Sequence, residues 1–258
     1  EFRRVLFRSC AGVWPGATIL SGPGWRMRLS PGHHPDTART SRQTNFQEHV
    51  DARLDDQSWI RSPRPPKGWM ETFRTRPFGF MHWAAMEPRQ VPLLSNDVMS
   101  YRATCYDAAG RCAEGYESWP NATDGFRLEN PILKWRPARP GRVADDGLCV
   151  TLEASGKGKL SAVSVDLGKP GVGNLIVEAA GARGGEILDL FCTEAINPDG
   201  SACLIDKDHC CGASMTSRLW LRAGTTRYEF YQMMGHRYLV AIVRGNAAPI
   251  KLKLALLN

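Results

Sequence analysis

From residue 148 onward, apolar and polar side chains alternate with period two over short runs. Ala162–Leu167 sets Val163, Val165 and Leu167 on one face. Arg237–Val243 aligns Tyr238, Val240 and Ile242. Ile250–Leu256 aligns Ile250, Leu252, Leu254 and Leu256, with Lys251 and Lys253 opposite. Leu175–Ala179, Ile187–Cys192, Arg218–Arg222 and Arg227–Tyr231 continue the series, and Lys169-Pro170-Gly171 and Arg183-Gly184-Gly185 read as turns between runs. Successive strand side chains point to opposite sheet faces, so these runs predict half-buried strands. Short strands separated by turns every 8–12 residues or so predict an all-β, antiparallel β-sandwich of jelly-roll type. No long segment carries a 3.6-residue period and strands do not alternate with helices, which disfavours a doubly wound α/β fold.

The first ninety residues lack this regularity. Pro and Arg recur, as in Ser62-Pro63-Arg64-Pro65-Pro66-Lys67-Gly68, and such a stretch favours extended, turn-rich chain. Strand candidates there are Trp25–Leu29 and the neighbourhood of Phe46–Leu54. Farther on, Tyr101–Tyr106 alternates weakly and meets Asp107-Ala108-Ala109-Gly110, read as a hairpin turn. In an exported protein Cys105 and Cys112 would face each other across it as a disulfide. The expected organisation is therefore the tail of a first β-sandwich module with a Pro/Arg-rich linker at 10–90, followed by a β-sandwich domain at 91–258.

Composition changes this picture little. The chain has 258 residues, 43% of them hydrophobic, enough for a folded core. Eight Cys are too few for a disulfide scaffold of this length. No run of about 18 apolar residues occurs, so no membrane-spanning helix is expected.

Charge changes it more. The net charge is +7, and residues 1–90 carry 14 Lys and Arg against 8 Asp and Glu. A basic arm of that kind suggests nucleic acid. However, Glu1-Phe2-Arg3-Arg4-Val5-Leu6-Phe7-Arg8-Ser9 reverse-translates to GAG TTC AGA CGT GTG CTC TTC CGA TCT, the string of a common sequencing-library adapter. Residues 1–9 are therefore expected to be an artefact and are set aside. Nucleic-acid binding needs Lys and Arg gathered on one face with interleaved aromatics, whereas the remaining Arg residues are scattered among Pro-rich loops, so nucleic acid is not an expected partner. On the same grounds the natural start is expected to be missing, and no localisation follows.

Three stretches resemble bacterial α-L-rhamnosidases, large inverting glycoside hydrolases. Phe46-Gln47-Glu48-His49-Val50-Asp51-Ala52-Arg53-Leu54, followed by Trp59, is similar to the family's E-x-x-D-A-R segment near the end of its N-terminal jelly roll. Trp83 with Glu87-Pro88-Arg89-Gln90-Val91-Pro92-Leu93-Leu94 is similar to the strand leading into the next module. Val165-Asp166-Leu167-Gly168, Gly173, Gly185, Glu194-Ala195, Ser217-Arg218-Leu219-Trp220-Leu221 and Gly235-His236-Arg237-Tyr238-Leu239 resemble the sandwich that precedes the catalytic barrel. His236 departs from the family's usual aromatic residue, Trp220 from its frequent Tyr, and the loop at 197–216 is unusually rich in Cys.

The resemblance implies a parent enzyme that hydrolyses terminal α-linked rhamnose with inversion. Inversion needs two carboxyl groups about 6.5–9.5 Å apart across the sugar. In the family these sit on an (α/α)₆ barrel C-terminal to the sandwich, beyond Asn258, so no catalytic residue is carried over. The chain alone is then expected to be inactive, with the barrel as its partner and carbohydrate as a ligand. The alternative is a free-standing carbohydrate-binding β-sandwich.

The candidate carbohydrate-binding residues are Trp119, Trp135, Glu194 and Arg237. Glu194 and Arg237 are charges in apolar strand contexts, where an unpaired charge is expensive; they are expected to form an ion pair across neighbouring strands, either structural or sugar-facing. Trp83, Trp119, Trp135, Trp220 and Tyr231 offer planar faces for sugar stacking or, alternatively, ordinary packing. Trp119 leads because it lies in a polar loop beside Pro120-Asn121. Cys203-Leu204-Ile205-Asp206-Lys207-Asp208-His209-Cys210-Cys211 collects metal-ligand types without a clean second pair, so neither a metal nor a cofactor is expected. Asn121-Ala122-Thr123 fits a glycosylation sequon.

Overall fold

A computed structural model describes residues 25–41, 45–55, 59, 67–71, 103–144, 147–201, 203 and 215–257, with the backbone of 12–14 and 17–19. Trp83, the 81–94 motif and the Cys/His cluster at 204–211 lie outside the described residues. The chain divides into two compact units, Glu1–Pro31 with Asp55–Leu93, and Gly32–Leu54 with Leu94–Asn258. In the first, β1 (Gly12–Trp14) pairs antiparallel with β2 (Ala17–Ile19), and β3 (Arg26–Met27) with β5 (Met70–Glu71). Trp59 and Trp69 meet at 5.1 Å between ring centroids, and the Arg28 guanidinium lies over Trp69.

The second unit is an all-β sandwich. Its strands are β4 (His49–Asp51), β6 (Thr104–Arg111), β7 (Lys134–Trp135), β8 (Arg139–Pro140), β9 (Arg142–Ala144), β10 (Gly147–Leu152), β11 (Lys159–Ala182), β12 (Ile187–Thr193), β13 (Thr216–Trp220), β14 (Gly224–Arg244) and β15 (Ile250–Leu257). β11 and β14 are long enough to serve both layers. Residues 160–166 of β11 pair with 238–244 of β14 in the order β4-β13-β12-β14-β11-β6, with β7 and β8 on the far edge of β6. The remaining halves pair in the order β14-β11-β15-β10-β9. All of these pairings are antiparallel except β4 with β13, which is parallel.

Two predicted strands therefore fuse into each of β11 and β14. Lys169-Pro170-Gly171, expected as a turn, is a bulge: the register jumps from Asp166↔Tyr238 to Gly171↔His236. Gly168 there has φ +78°, a conformation that favours glycine, and its N–H donates to Asp166 Oδ1 at 2.8 Å. The bulge bends the strand from one layer into the other without ending it.

A second expectation also fails. Asp107-Ala108-Ala109-Gly110 is no hairpin turn but the interior of β6, paired residue by residue with Ser161–Val163 and Leu160 of β11. Cys105 and Cys112 thus lie at opposite ends of one extended segment, about 23 Å apart at strand rise, and both are free thiols. The turn-like composition has a packing cause at Gly110, where a Cβ would meet Leu133 Cδ2 at 2.8 Å.

The core lies between the layers. Val163, Val165, Leu188, Leu190, Leu219, Leu239, Ala241 and Val243 face Leu148, Val150, Leu175, Val177, Phe230, Leu252 and Leu254. Each such side chain, fully buried, is worth about 1.5–3 kcal/mol. The first layer is buried on its other face too. There Leu160, Ala162, Phe191, Val240 and Ile242 pack against Phe126 and Leu133. Phe126 belongs to the one α-helix among the described residues, α1 (Ala122–Glu129). The predicted Tyr238/Val240/Ile242 face is accordingly this second core, while Leu239, Ala241 and Val243 fill the first.

Candidate functional site

The four predicted residues stand apart, and no hydrogen bond, ion pair or ring contact joins any two of them. Trp119 is half-buried and lies flat on α1: a Cβ on Gly125 would sit 1.6 Å from Trp119 Cζ3. Trp135, in β7, packs against the second core, with its buried Nε1 lacking a partner. Both expected sugar platforms are thus engaged in packing. Glu194 is exposed just past the end of β12. Arg237 takes Asp166 as its partner instead, with Nε at 2.8 Å and Nη2 at 2.9 Å from the carboxylate. The expected Glu194–Arg237 pair is therefore absent: β12 stops at Thr193, one residue short of the register that would carry Glu194 opposite Arg237. Burial raises the Asp166 carboxyl, but the Arg237 hydrogen bonds outweigh it and hold it below the usual carboxylate range.

The residues of the Phe46–Leu54 segment are structural fasteners. Asp51 accepts from Arg53 N, Nε and Nη2 at 3.0, 2.9 and 2.7 Å. Glu48, 2% exposed, accepts from the Tyr228 hydroxyl at 2.7 Å and the Tyr231 N–H at 3.0 Å, tying the segment before β4 to β14. Gln47 reaches Asn121 Oδ1 at 2.7 Å. Asn121 is the N-cap of α1 and accepts from Thr123 N at 3.2 Å, so the sequon asparagine is occupied by capping. His34 stacks on Trp220 at 4.5 Å, which leaves that ring packed as well.

Beneath α1 the first layer carries a closed ionic network. Arg218 donates to both Asp189 oxygens at 2.7 and 2.8 Å. Arg244 donates to Asp189 at 2.6 Å and to Glu129 at 2.6 Å. All four side chains are at most 2% exposed. Burial works against the Asp189 charge, yet the two guanidinium fields prevail and its pKa falls to about 2. Two cations offset two anions and every carboxylate is bonded, the condition under which buried charges are tolerated. The network holds the helix; it reaches no solvent.

Open to a ligand among the described residues is a cleft of about 910 Å³. Its cations are Arg136, Arg139, Arg142, Lys159, Lys251 and Lys253; its anions are Asp107, Glu153 and Glu178. Sheet register builds one wall: Glu178 pairs with Lys253, Lys253 with Cys149, and Cys149 with Arg142, a row across four strands. Arg139 is clamped by Asp107, with Nη2 2.7 Å from Oδ1, and that hydrogen bond raises its pKa. Arg136, Arg142, Lys159 and Lys251 are exposed and form no ion pair with a described residue. No aromatic side chain is among the described lining. Among the described residues no group of three His, Cys, Asp or Glu side chains is arranged to hold a metal.

Known structures place this architecture. Against a GH78 family rhamnosidase of Bacillus sp. GL1 the TM-score is 0.61 at 15% identity, over 94% of this chain and 43% of that one. The chain has a rhamnosidase-like fold. It spans less than half the length of that enzyme. A rhamnosidase from Klebsiella oxytoca, solved with rhamnose bound, aligns at TM-score 0.35 and 18% identity over 64% of this chain and 29% of that one. A fucolectin from striped bass aligns at 0.27 and 13% over 42% and 36%. The fold assignment rests on the first alone. No protein-family model and no curated protein matches the sequence.

Proposed function

We propose that this chain is an accessory β-sandwich region of an α-L-rhamnosidase-like glycoside hydrolase. It supports a helical catalytic barrel and contacts carbohydrate, while the acid and base carboxylates reside on the barrel. In this reading the unit of Gly32–Leu54 with Leu94–Asn258 is the sandwich that precedes the barrel, with 32–54 joining it rather than the preceding module to which the sequence assigned them; the rest of 10–93 is the end of that module and 1–9 are foreign. The observation that carries it is the rhamnosidase-like fold over 94% of the chain. The Asp166–Arg237 and Asp51–Arg53 pairs support it, since they give the family-like motifs a shared structural purpose.

The alternative, a free-standing carbohydrate-binding module, predicts no large uncovered apolar surface. Val172, Tyr231 and Met233 are 54%, 47% and 44% exposed on one face of the β11–β14 ribbon, which favours a face that a partner covers. The test is hydrolysis of an aryl α-L-rhamnoside by the purified 258-residue chain. No release above buffer is expected, and turnover would overturn the assignment.

A further inference from the structure

We propose that the cationic cleft beside β9, β10 and β15 is a binding site for an acidic oligosaccharide, one that bears carboxylate groups. The inference deepens the carbohydrate reading above and rests on it. Four observations point to this ligand class.

Charge comes first. Six cationic side chains face three anionic ones, and a cleft lined by one dominant sign focuses its field on the ligand. Arg142, Lys159 and Lys251 are exposed and free of described ion-pair partners, so they are available to an incoming carboxylate. Arginine is suited to that task because its planar fork matches a carboxylate with two parallel hydrogen bonds.

Geometry comes second. Arg142 and Lys253 sit on β9 and β15 with only β10 between them. Two strand spacings put their backbones about 10 Å apart. The cations are therefore distributed as separate points along a wall, which suits charges repeating along an extended chain better than one compact anion. A volume of about 910 Å³ lies near the top of the range of about 300–1,000 Å³ seen for small-ligand sites, room for more than one sugar unit.

The third observation is the pairing of acid with base. Asp107 holds Arg139 in place, and Glu178 and Glu153 stand among the cations. Carboxylates in the wall accept hydrogen bonds from hydroxyl groups, which each sugar unit supplies beside its acidic group. The fourth is what the lining lacks. Without an aromatic platform among its described residues it offers nothing for bases to stack on, which single-stranded nucleic acid binders use. Neutral pyranose stacking is equally unsupported there. Recognition must then run through charge and hydrogen bonds.

The test is isothermal titration of the full chain with an oligogalacturonate, with a neutral rhamno-oligosaccharide and with oligothymidylate, at low and at high salt. Two variants accompany it. The double variant Arg142→Glu/Lys251→Glu reverses two exposed cleft charges, and Lys169→Glu reverses an exposed charge outside the cleft, in the β11 bulge. Thermal unfolding of all three proteins reports whether the fold is intact. Binding of the uronate that weakens at least tenfold in the double variant, stays within twofold in Lys169→Glu and falls with salt is the expected result. No uronate binding, binding indifferent to the double variant, or tighter binding of oligothymidylate would each overturn the proposal. Binding of the neutral sugar alone would sink this site and leave the accessory-module reading standing, whereas rhamnoside hydrolysis by the chain would sink that reading and leave the cleft result untouched.

Discussion

Single residues carry much of the argument, and His236 is the most exposed to test. It is 1% exposed in β14, both ring nitrogens lack a side-chain partner, and burial drives its pKa down to about 4. Above about pH 6.5 it is neutral folded or unfolded and adds no pH dependence to stability. Below that the unfolded chain takes up a proton that the folded chain refuses, so stability drains away as pH falls from about 6.5 to 4, by about 3 kcal/mol in all. His236→Phe should flatten urea-derived stability across that window; an unchanged pH dependence would exonerate the histidine. The buried network makes the opposite kind of prediction. Glu129→Gln removes one charge facing Arg244 and should cost about 3–5 kcal/mol, because it leaves two buried guanidinium groups to share the single Asp189 carboxylate. Denaturant midpoints at neutral pH read this directly. His236 was legible in the sequence as a departure from pattern, but its burial was not. Asp189, Glu129 and Arg244 raised no signal at all, since they are 55 to 115 positions apart and only the fold makes them neighbours.

At the level of elements, β12, β13 and β15 appear where alternation put them, and the Trp25–Leu29 and Phe46–Leu54 candidates contain β3 and β4. Alternation failed where a strand bends without ending. Gly and Pro serve turns and bulges alike, so Lys169-Pro170-Gly171 cannot announce which it is. The helix was missed for a different reason: eight residues give two turns, too few for a period to show. Its cues were local, Asn121 as cap and Asp124 in the first turn. Gly125 inside it is explained by Trp119. Gly125→Ala should raise helix propensity by about 1 kcal/mol, yet destabilise the protein by about 1–3 kcal/mol through overpacking against the indole. In a Trp119→Ala background the same change should be neutral or stabilising. A double-mutant cycle by urea unfolding settles it, and additivity would mean the contact is idle.

The whole molecule divides the credit differently. Period-two patterning selects an all-β sandwich because each strand must bury one face, and that requirement is written locally in the order of side chains. The alternation of Lys251 and Lys253 with Ile250, Leu252 and Leu254 likewise placed the two lysines on the outer face of β15. The sequence by itself thus determined the class of fold, most strand positions and which faces turn inward. Tertiary structure alone decided which strands span both layers, which charge meets which, and where cations gather. Arg136, Arg139 and Arg142 converge with Lys159, Lys251 and Lys253 only because β8 pairs with β6, β6 with β11, β11 with β15, β15 with β10 and β10 with β9. Arg237 was expected to meet Glu194 on sequence grounds; the end of β12 at Thr193 and the β11–β14 register gave it Asp166 instead. Burial is dictated by residue type and period, which a chain carries in its own order, whereas partnership depends on register between strands distant in sequence, which no local pattern encodes.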